Sequence, residues 1–299
     1  MQLRPVTPAD RHLLYPLLRA SLHQDPYHDA LWFEKIWGDH RFCQALAQVV
    51  VDNQQILGFV MAVVQDQSRQ QGVLKILAVD PAQQRHGLGT LLLSSIQEQA
   101  RNLNMKTLSL AGSPPNYLWP GLDAHYAGAL AFFEKNKFKR TGEAVNLHVA
   151  LASAPLDYQP IENRLAERGI HLRRAQTHDQ PTLNAFLKAN QWPNWRAEVN
   201  RTFQHQTISL HLAFNATELV GFAAYDCNNL GTGWFGPMGT HPETRGTGVG
   251  SALLKRCLCD IKQQGHAQAT IAWAAALPFY KKAVDAYPAR HFLCMEQSL

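Results

Sequence analysis

The most informative part of the sequence is Met238-Gly239-Thr240-His241-Pro242-Glu243-Thr244-Arg245-Gly246-Thr247-Gly248-Val249-Gly250-Ser251. The residues just before it, from 234 to 238, are mostly apolar and predict a short strand. The residues after it carry apolar side chains at three- and four-residue spacing, as the buried face of a helix does. These are Val249, Leu253, Leu254, Cys257, Leu258 and Ile261. The sequence therefore predicts a strand, a glycine-rich loop and the start of a helix.

Such a loop favours an anion, because the first backbone N–H groups of a helix lack intrahelical partners and the helix dipole adds positive charge there. A dinucleotide-binding loop would need G-x-G-x-x-G, whereas Gly246, Gly248 and Gly250 alternate. A P-loop would need a glycine followed by lysine and serine or threonine, a combination that the sequence lacks. The pattern that remains is R-x-x-G-x-G, which begins at Arg245.

The chain contains a second copy of this pattern about 160 residues earlier. An apolar strand from 73 to 79 precedes Gln84-Arg85-His86-Gly87-Leu88-Gly89, and a helical apolar pattern follows. Gln84 takes the place of Arg245. The pairs Leu3-Arg4 and Leu172-Arg173, at a similar separation, extend the repeat to the start of each half. The sequence therefore predicts two homologous halves.

Length and composition agree with two domains. The chain has 299 residues, enough for two domains of about 150 residues that each bury a core of their own. Five scattered cysteines without C-x-x-C spacing argue against a zinc site and against a secreted disulfide framework, so no metal is expected. The net charge of +5 comes from lysine and arginine residues that are dispersed along the sequence and form no basic cluster. We expect a cytoplasmic monomer or homodimer that binds neither nucleic acid nor a membrane.

The R-x-x-G-x-G pattern resembles the pyrophosphate loop of the GCN5-related N-acetyltransferase (GNAT) superfamily, and its repetition resembles a tandem member. The resemblance implies an α/β fold with two tandem GNAT domains. Each would have a central mixed, mostly antiparallel sheet flanked by helices, with a splayed strand pair for CoA. We expect an N-terminal domain over residues 1–152, a linker over 153–168 and a C-terminal domain over 169–299.

The resemblance also implies acetyl-CoA as cosubstrate. The backbone of Met238, Gly239 and Thr240 would pair with the pantetheine arm. The pyrophosphate would lie on the loop and helix start, formed by Arg245, Gly246, Thr247, Gly248, Val249, Gly250 and Ser251. The N-terminal counterparts are Gln84, Gly87 and Gly89.

The superfamily commonly takes its general acid from a tyrosine in an F-Y-x-K sequence, which predicts Tyr280 in Phe279-Tyr280-Lys281-Lys282. Phe133 stands at the corresponding place in the first half and carries no proton. Tyr126 could replace it only if its helix begins before Ala129. We therefore expect the C-terminal half to be catalytic and the N-terminal half to be degenerate in catalysis.

The general base is less defined. Asp226, late on the strand before the motif, is the candidate, with His241 and Glu243 beside the loop as weaker ones and a chain of water molecules as an alternative.

The acceptor is expected to be a small-molecule primary amine. Residues 115–121 and 234–239 look closest to bacterial glucosamine or glucosaminide N-acetyltransferases, which implies an amino sugar or a cell-wall fragment. The plain alanines from 274 to 276 depart from that group. A polyamine, an aminoglycoside or a peptide N-terminus therefore remain open as acceptors. A different class of protein also remains open, namely a non-catalytic CoA-binding or interaction module.

Overall fold

The computed structural model describes residues 1–25, 27–65 and 70–299. The chain forms two compact units. Unit 1 consists of Met1–Glu143 together with Phe292–Leu299, and unit 2 consists of Ala144–His291. Each unit therefore includes residues from both halves of the sequence.

Unit 1 has a mixed sheet flanked by helices. Its helices are α1 (Arg11–Ser21), α2 (Asp29–Lys35), α3 (Leu88–Asn102) and α4 (Ala127–Lys135). Its strands are β1 (Gln2–Pro5), β2 (Ala47–Asp52), β3 (Gln55–Val64), β4 (Gln71–Val79), β5 (Thr107–Leu110) and the short β6 (Leu122–Asp123). The first five lie in sequence order, and only the pairing of β4 with β5 is parallel.

Unit 2 repeats this plan. Its helices are α5 (Gln159–Ala166), α6 (Gln180–Ala189), α7 (Arg196–Arg201), α8 (Val249–Gln263) and α9 (Leu277–Val284). Its strands are the end of β7 (Lys139–Ala150), then β8 (Ile170–Arg174), β9 (Leu210–Asn215), β10 (Glu218–Tyr225), β11 (Trp234–Thr240) and β12 (Gln268–Ile271). The order is β8-β9-β10-β11-β12-β7, and only β11 and β12 are parallel.

Each unit is completed by a strand from the other half of the sequence. In unit 1, the strand next to β5 is the end of β13 (Tyr287–Ser298), where Ser298 pairs with Thr107. In unit 2, the strand next to β12 is β7, where Leu147 pairs with Ile271. The expected domain limits at residues 152 and 169 thus differ from the limits of the compact units, because these pairings join residues that are far apart in sequence.

The segment expected to be a linker is part of unit 2. It contains α5, whose Leu165 is fully buried in the core against α8. Arg256 of α8 also donates to Oε2 of Glu162 at 2.7 Å. Apolar and ionic contacts therefore both hold this segment on the unit.

The internal repeat is visible in matching ion pairs. Arg4 donates to both carboxylate oxygens of Asp10 at 2.8 and 2.7 Å. Arg173 donates to both oxygens of Asp179 at 2.6 and 2.7 Å. The first pair joins β1 to the turn before α1, and the second joins β8 to the turn before α6.

Helix α8 buries the side chains that the periodicity predicts. Val249, Leu253, Leu254, Cys257, Leu258 and Ile261 are all fully buried and form one core cluster. A second cluster includes Phe186 and Phe222, and the partly buried Trp192 and Trp195 pack against it. No helix within the described part of the chain is long and apolar enough to cross a membrane.

Candidate active site

The parallel strands of unit 2 separate after two residue pairs. In the described part of the chain, β11 pairs with β12 only through Trp234 with Thr270 and Phe235 with Ile271. Beyond this point β11 stays with β10 as far as the pair of Thr240 with Gly221.

The chain after β12 instead stays beside β7. The backbone N–H of Trp273 donates to Oδ1 of Asn146 at 2.9 Å, and that of Ala274 donates to the carbonyl of Val145 at 2.8 Å. The two chain segments 236–240 and 272–274 are therefore separated, and this separation is called the strand gap. Met238, Gly239 and Thr240 lie on its first side.

The loop after β11 has the backbone that its glycines predict. Gly246 and Gly248 have φ of +80° and +107°, a region that glycine enters without steric cost. A Cβ added at Gly246 would meet no atom within 4 Å, so the space above this backbone is open. Gly248 is the N-cap of α8. The N–H groups of the first turn lack intrahelical acceptors.

Two threonine hydroxyl groups hold this loop through hydrogen bonds to backbone carbonyls. The hydroxyl of Thr244 donates to the carbonyl of Val220 at 3.3 Å, and that of Thr247 donates to the carbonyl of Thr244 at 2.7 Å. The exposed Arg245 adds a positive charge. Open space, first-turn N–H groups and a cation fit the pyrophosphate of CoA.

His241 and Glu243 belong to the turn that precedes this loop. Nδ1 of His241 accepts a hydrogen bond from the backbone N–H of Glu243 at 3.4 Å, and the Glu243 side chain is exposed. Both residues therefore shape the entry to the loop.

Gly250 is the point where the loop, the gap and the last helix meet. A Cβ added there would lie 3.5 Å from Cε of Met238 and 3.6 Å from Cζ of Phe279. Tyr280 follows Phe279 on α9 and packs against the core that α8 forms. Burial raises the pKa of Tyr280 to about 12, so its phenol is protonated at neutral pH.

Asp226 occupies a different place. Its backbone N–H donates to the carbonyl of Trp234 at 2.9 Å, which puts it beside the start of β11. At about 3.3 Å per residue, Met238 is roughly 13 Å further along that strand. Oδ2 of Asp226 accepts from Nε2 of Gln264 at 3.0 Å, at the C-terminal end of α8. The structure thus brings Met238, the loop and Phe279 together, with Tyr280 as the next residue of α9, and places Asp226 towards the opposite end of α8.

Unit 1 has the corresponding loop but no corresponding phenol. Gly87 is the N-cap of α3, with φ of +86°. A Cβ added at Gly89 would lie 3.4 Å from Cε2 of Phe132, just as Phe279 approaches Gly250. Phe133 is thereby the counterpart of Tyr280, and it is buried in the core.

Helix α4 begins at Ala127, earlier than the sequence predicts, with Tyr126 as its N-cap. The hydroxyl of Tyr126 accepts from the backbone N–H of Gln24 at 3.1 Å and donates to Oδ2 of Asp25 at 3.3 Å. This phenol is therefore committed to the segment between α1 and α2.

A buried charged side chain lies just beyond the last residue pair of β4 and β5. Lys75 directly follows Leu74, whose pairing with Leu110 is the last residue pair of β4 and β5. Its Nζ donates to Oδ2 of Asp39 and to the carbonyl of Lys35, both at 2.6 Å, and Lys75 is only 2% exposed. The ammonium therefore occupies the space between the sheet and α2.

The loop after β5 is hydrogen-bonded to residues in and just after α2. Arg41 donates to the carbonyls of Ser113 and Pro114 at 2.7 and 2.9 Å, and Nδ2 of Asn116 donates to the carbonyl of Glu34 at 2.8 Å. Sequence reasoning missed this network. Its one local signal is a lysine inside the apolar run Val73-Leu74-Lys75-Ile76-Leu77.

Comparison with known proteins agrees with this geometry. The profile of the Acetyltransferase (GNAT) family matches residues 11–118, and that of an Acetyltransferase (GNAT) domain matches residues 207–283. A search of curated proteins finds no significant match.

Solved structures match over nearly the whole chain. One is a GCN5-related glucosamine N-acetyltransferase region of a fungal multi-domain GH3 β-N-acetylglucosaminidase, with a TM-score of 0.81 and 20% identity. The match covers 99% of this chain and 38% of that one. A GNAT protein from Sphaerobacter thermophilus has a TM-score of 0.71 and 17% identity, with 99% and 95% covered.

A tandem GNAT protein from the clavulanic acid biosynthesis pathway has a TM-score of 0.69 and 16% identity, with 99% and 98% covered. The two profile matches fall on the two halves of the sequence, and each half supplies a glycine loop before a helix and a separated strand pair. The chain therefore belongs to the GNAT family and carries two GNAT domains in tandem.

Proposed function

We propose that this protein is an acetyl-CoA-dependent N-acetyltransferase whose chemistry takes place in unit 2. The proposal rests on the packing around Gly250, where the side chains of Met238 and Phe279 both approach the start of α8. This contact joins the strand gap, the anion-binding loop and the helix that bears Tyr280. Acetyl-CoA would supply an acetyl group activated as a thioester.

The chain's own groups would perform binding and proton transfer. Residues 245–251 would hold the pyrophosphate through backbone N–H groups and the Arg245 guanidinium. The open edge of Met238, Gly239 and Thr240 would orient the extended arm. Tyr280 would donate its proton to the departing sulfur, because its phenol is protonated at neutral pH.

The acceptor amine must lose a proton before or during its attack. Asp226 is the side chain that the sequence favours for this step, but its bond to Gln264 and its distance along β11 favour removal of the proton by water instead. An amine with neighbouring hydroxyl groups suits such a mechanism, because those groups lower its pKa.

For unit 1 we propose a non-catalytic role. Phe133 cannot donate a proton, and the buried ion pair of Lys75 with Asp39 lies just beyond the last residue pair of β4 and β5. The loop with Gln84, Gly87 and Gly89 would at most bind CoA. This assignment gives the protein one active site.

A thiol-release assay with acetyl-CoA tests the proposal. The amine panel includes glucosamine, muropeptide fragments, spermidine, an aminoglycoside and a peptide N-terminus. We expect turnover with at least one amine, abolished by Gly248→Val and retained in Gly87→Val. Absence of turnover with every amine would leave a CoA-binding module. Substantial turnover in folded Gly248→Val that only the double variant loses would establish two active sites.

A further inference from the structure

A β-bulge follows β12 in unit 2. Ile271 of β12 pairs with Leu147 of β7, and the same antiparallel register would place Ala274 one residue beyond Val145. The backbone N–H of Ala274 instead donates to the carbonyl of Val145 itself, at 2.8 Å. The chain after β12 therefore contains one residue more than the part of β7 beside it. Such an extra residue bends its strand and lacks a ladder partner, and bulges are common next to active sites.

Asn146 of β7 supplies the missing partner. Trp273, inside the bulge, has φ of +48°, and its backbone N–H donates to Oδ1 of Asn146 at 2.9 Å. Asn146 is only 2% exposed, and a buried N–H without an acceptor is costly. Strand β7 lies on the opposite side of β12 from β11. This hydrogen bond therefore holds the bulge away from β11.

Unit 1 holds the corresponding residue in a different way. The register of β5 with β13 places Cys294 where unit 2 has Asn146. Gly112, the counterpart of Trp273, donates its backbone N–H to the carbonyl of Trp119 at 2.7 Å, within the loop after β5. A side-chain amide thus fixes this position in unit 2, and a loop carbonyl fixes it in unit 1.

We infer that Asn146 is a positioning residue for acetyl-CoA, which keeps the second side of the strand gap apart from β11. The inference rests on the proposed function and adds a residue to its site. Beyond Phe235, the edge of β11 at the gap has no strand partner among the described residues. Its backbone carbonyls would compete for the N–H of Trp273 if Asn146 were lost, and the gap would then close to the extended arm of CoA.

The position of Asn146 in the sequence gives this inference a further meaning. Asn146 lies within residues 1–152, the range expected from the sequence to form the non-catalytic domain, yet it belongs to unit 2. The first half of the sequence therefore supplies a residue that shapes the proposed active site of the second.

Calorimetry with acetyl-CoA tests the inference. Asn146→Leu keeps a similar volume and removes the acceptor, so it should raise the dissociation constant of acetyl-CoA about 10-fold. Saturating acetyl-CoA should reopen the gap, so the turnover number should change less than about threefold. Asn146→Asp retains an acceptor oxygen, and its affinity should stay within about threefold of that of the unaltered protein. Asn146→Ala makes the same comparison if Asn146→Leu does not fold.

The matched control is Asn116→Ala in unit 1. Asn116 is 3% exposed, and its Nδ2 donates to the carbonyl of Glu34 at 2.8 Å. The control and Asn146→Leu should both lower the melting temperature, because each removes a buried amide that bonds to the backbone. Only Asn146→Leu should weaken acetyl-CoA binding.

Three results would overturn the inference. The first is an unchanged dissociation constant in Asn146→Leu, and the second is an equal rise in Asn116→Ala. The third is an affinity of Asn146→Asp as weak as that of Asn146→Leu, since the acceptor oxygen would then be irrelevant.

The same measurements separate this inference from the proposed function. If the unaltered protein binds acetyl-CoA but acetylates no amine, the proposed function fails, and the dissociation constants still decide the role of Asn146. If the unaltered protein does not bind acetyl-CoA, both are wrong.

Discussion

The side-chain amide of Gln264 donates a 3.0 Å hydrogen bond to Oδ2 of Asp226 and ties the end of β10 to the C-terminal end of α8. Asp226 has φ of +51°, a left-handed conformation that aspartate and asparagine tolerate better than most residues. Its Oδ1 is buried without a hydrogen-bond partner among the described residues. The hydrogen bond to Gln264 and the left-handed backbone indicate a structural role for Asp226.

Asp226→Asn should therefore keep at least about half of the turnover number, because the isosteric amide suits the same backbone and retains an acceptor oxygen. Turnover at saturating acetyl-CoA and acceptor is the measurement. A general base would instead lose about 10²- to 10⁴-fold. A loss of that size in a folded variant would return Asp226 to the catalytic role that the sequence suggests.

Tyr280→Phe should lower turnover by roughly 10²- to 10⁴-fold, since it removes the proton donor and leaves the ring in place. The affinity for acetyl-CoA, measured by calorimetry, should change little. Phe133→Tyr is the reciprocal variant, and it should add no activity because a phenol alone supplies neither acceptor contacts nor a base. An unchanged rate in Tyr280→Phe, with chemistry shown to be rate-limiting, would remove Tyr280 from the mechanism.

Gly246→Ala should weaken acetyl-CoA binding by roughly 10-fold, about 1.4 kcal/mol, because its methyl group enters the space proposed for the pyrophosphate. Gly265→Ala is the matched control. Gly265 has a φ of +92° against +80° at Gly246, and an added Cβ at either glycine meets no atom within 4 Å. Both alanines carry similar backbone strain, but Gly265 follows the other end of α8. Equal dissociation constants for the two variants would refute the loop assignment.

Lys75→Met should reduce the free energy of unfolding by about 3 kcal/mol, the lower end for breaking a buried ion pair. The lower end applies because Arg41 also contacts Asp39, at 3.2 Å. Asp39→Asn in the same chain should recover part of the loss. Urea titrations measure both, and the exposed Lys135→Met should stay within about 0.5 kcal/mol of the unaltered protein. A full 3 kcal/mol loss in Lys135→Met would show that the effect is unrelated to the pair.

His211 should make unit 2 less stable in mild acid. Burial lowers the pKa of its imidazole below 6.5, despite the 2.6 Å contact of Nε2 with Asp260, and Arg174 and Arg256 act in the same direction. Between pH 6.5 and the lower pKa of the folded state, the unfolded chain binds the proton first, so the free energy of unfolding falls as pH falls.

Melting temperatures measured from pH 7.5 to pH 5 should decline less in His211→Gln than in the unaltered protein. Parallel pH profiles for the two proteins would show that His211 is not responsible.

Local patterns predict most of what lies near the proposed CoA site. The buried face of α8, the glycine conformations at 246 and 248 and the place of Tyr280 beside Phe279 all depend on residues close in sequence. The ion pair of Lys75 with Asp39 and the bond of Asp226 with Gln264 join residues more than 30 positions apart, and periodicity carries no signal for such contacts. The same holds for the partners of β5 and β12, so the expected domain limits follow the repeat and differ from the compact units.

The origin of the last strand of unit 1 has a consequence for biosynthesis. Thr107 pairs with Ser298, which lies in the other half of the sequence. During synthesis, one side of β5 therefore stays unpaired until the segment that contains Ser298 has been made. Contacts this distant slow folding, and an unpaired strand edge invites association with other chains. The nascent first half is therefore open to such association for as long as its last strand is missing.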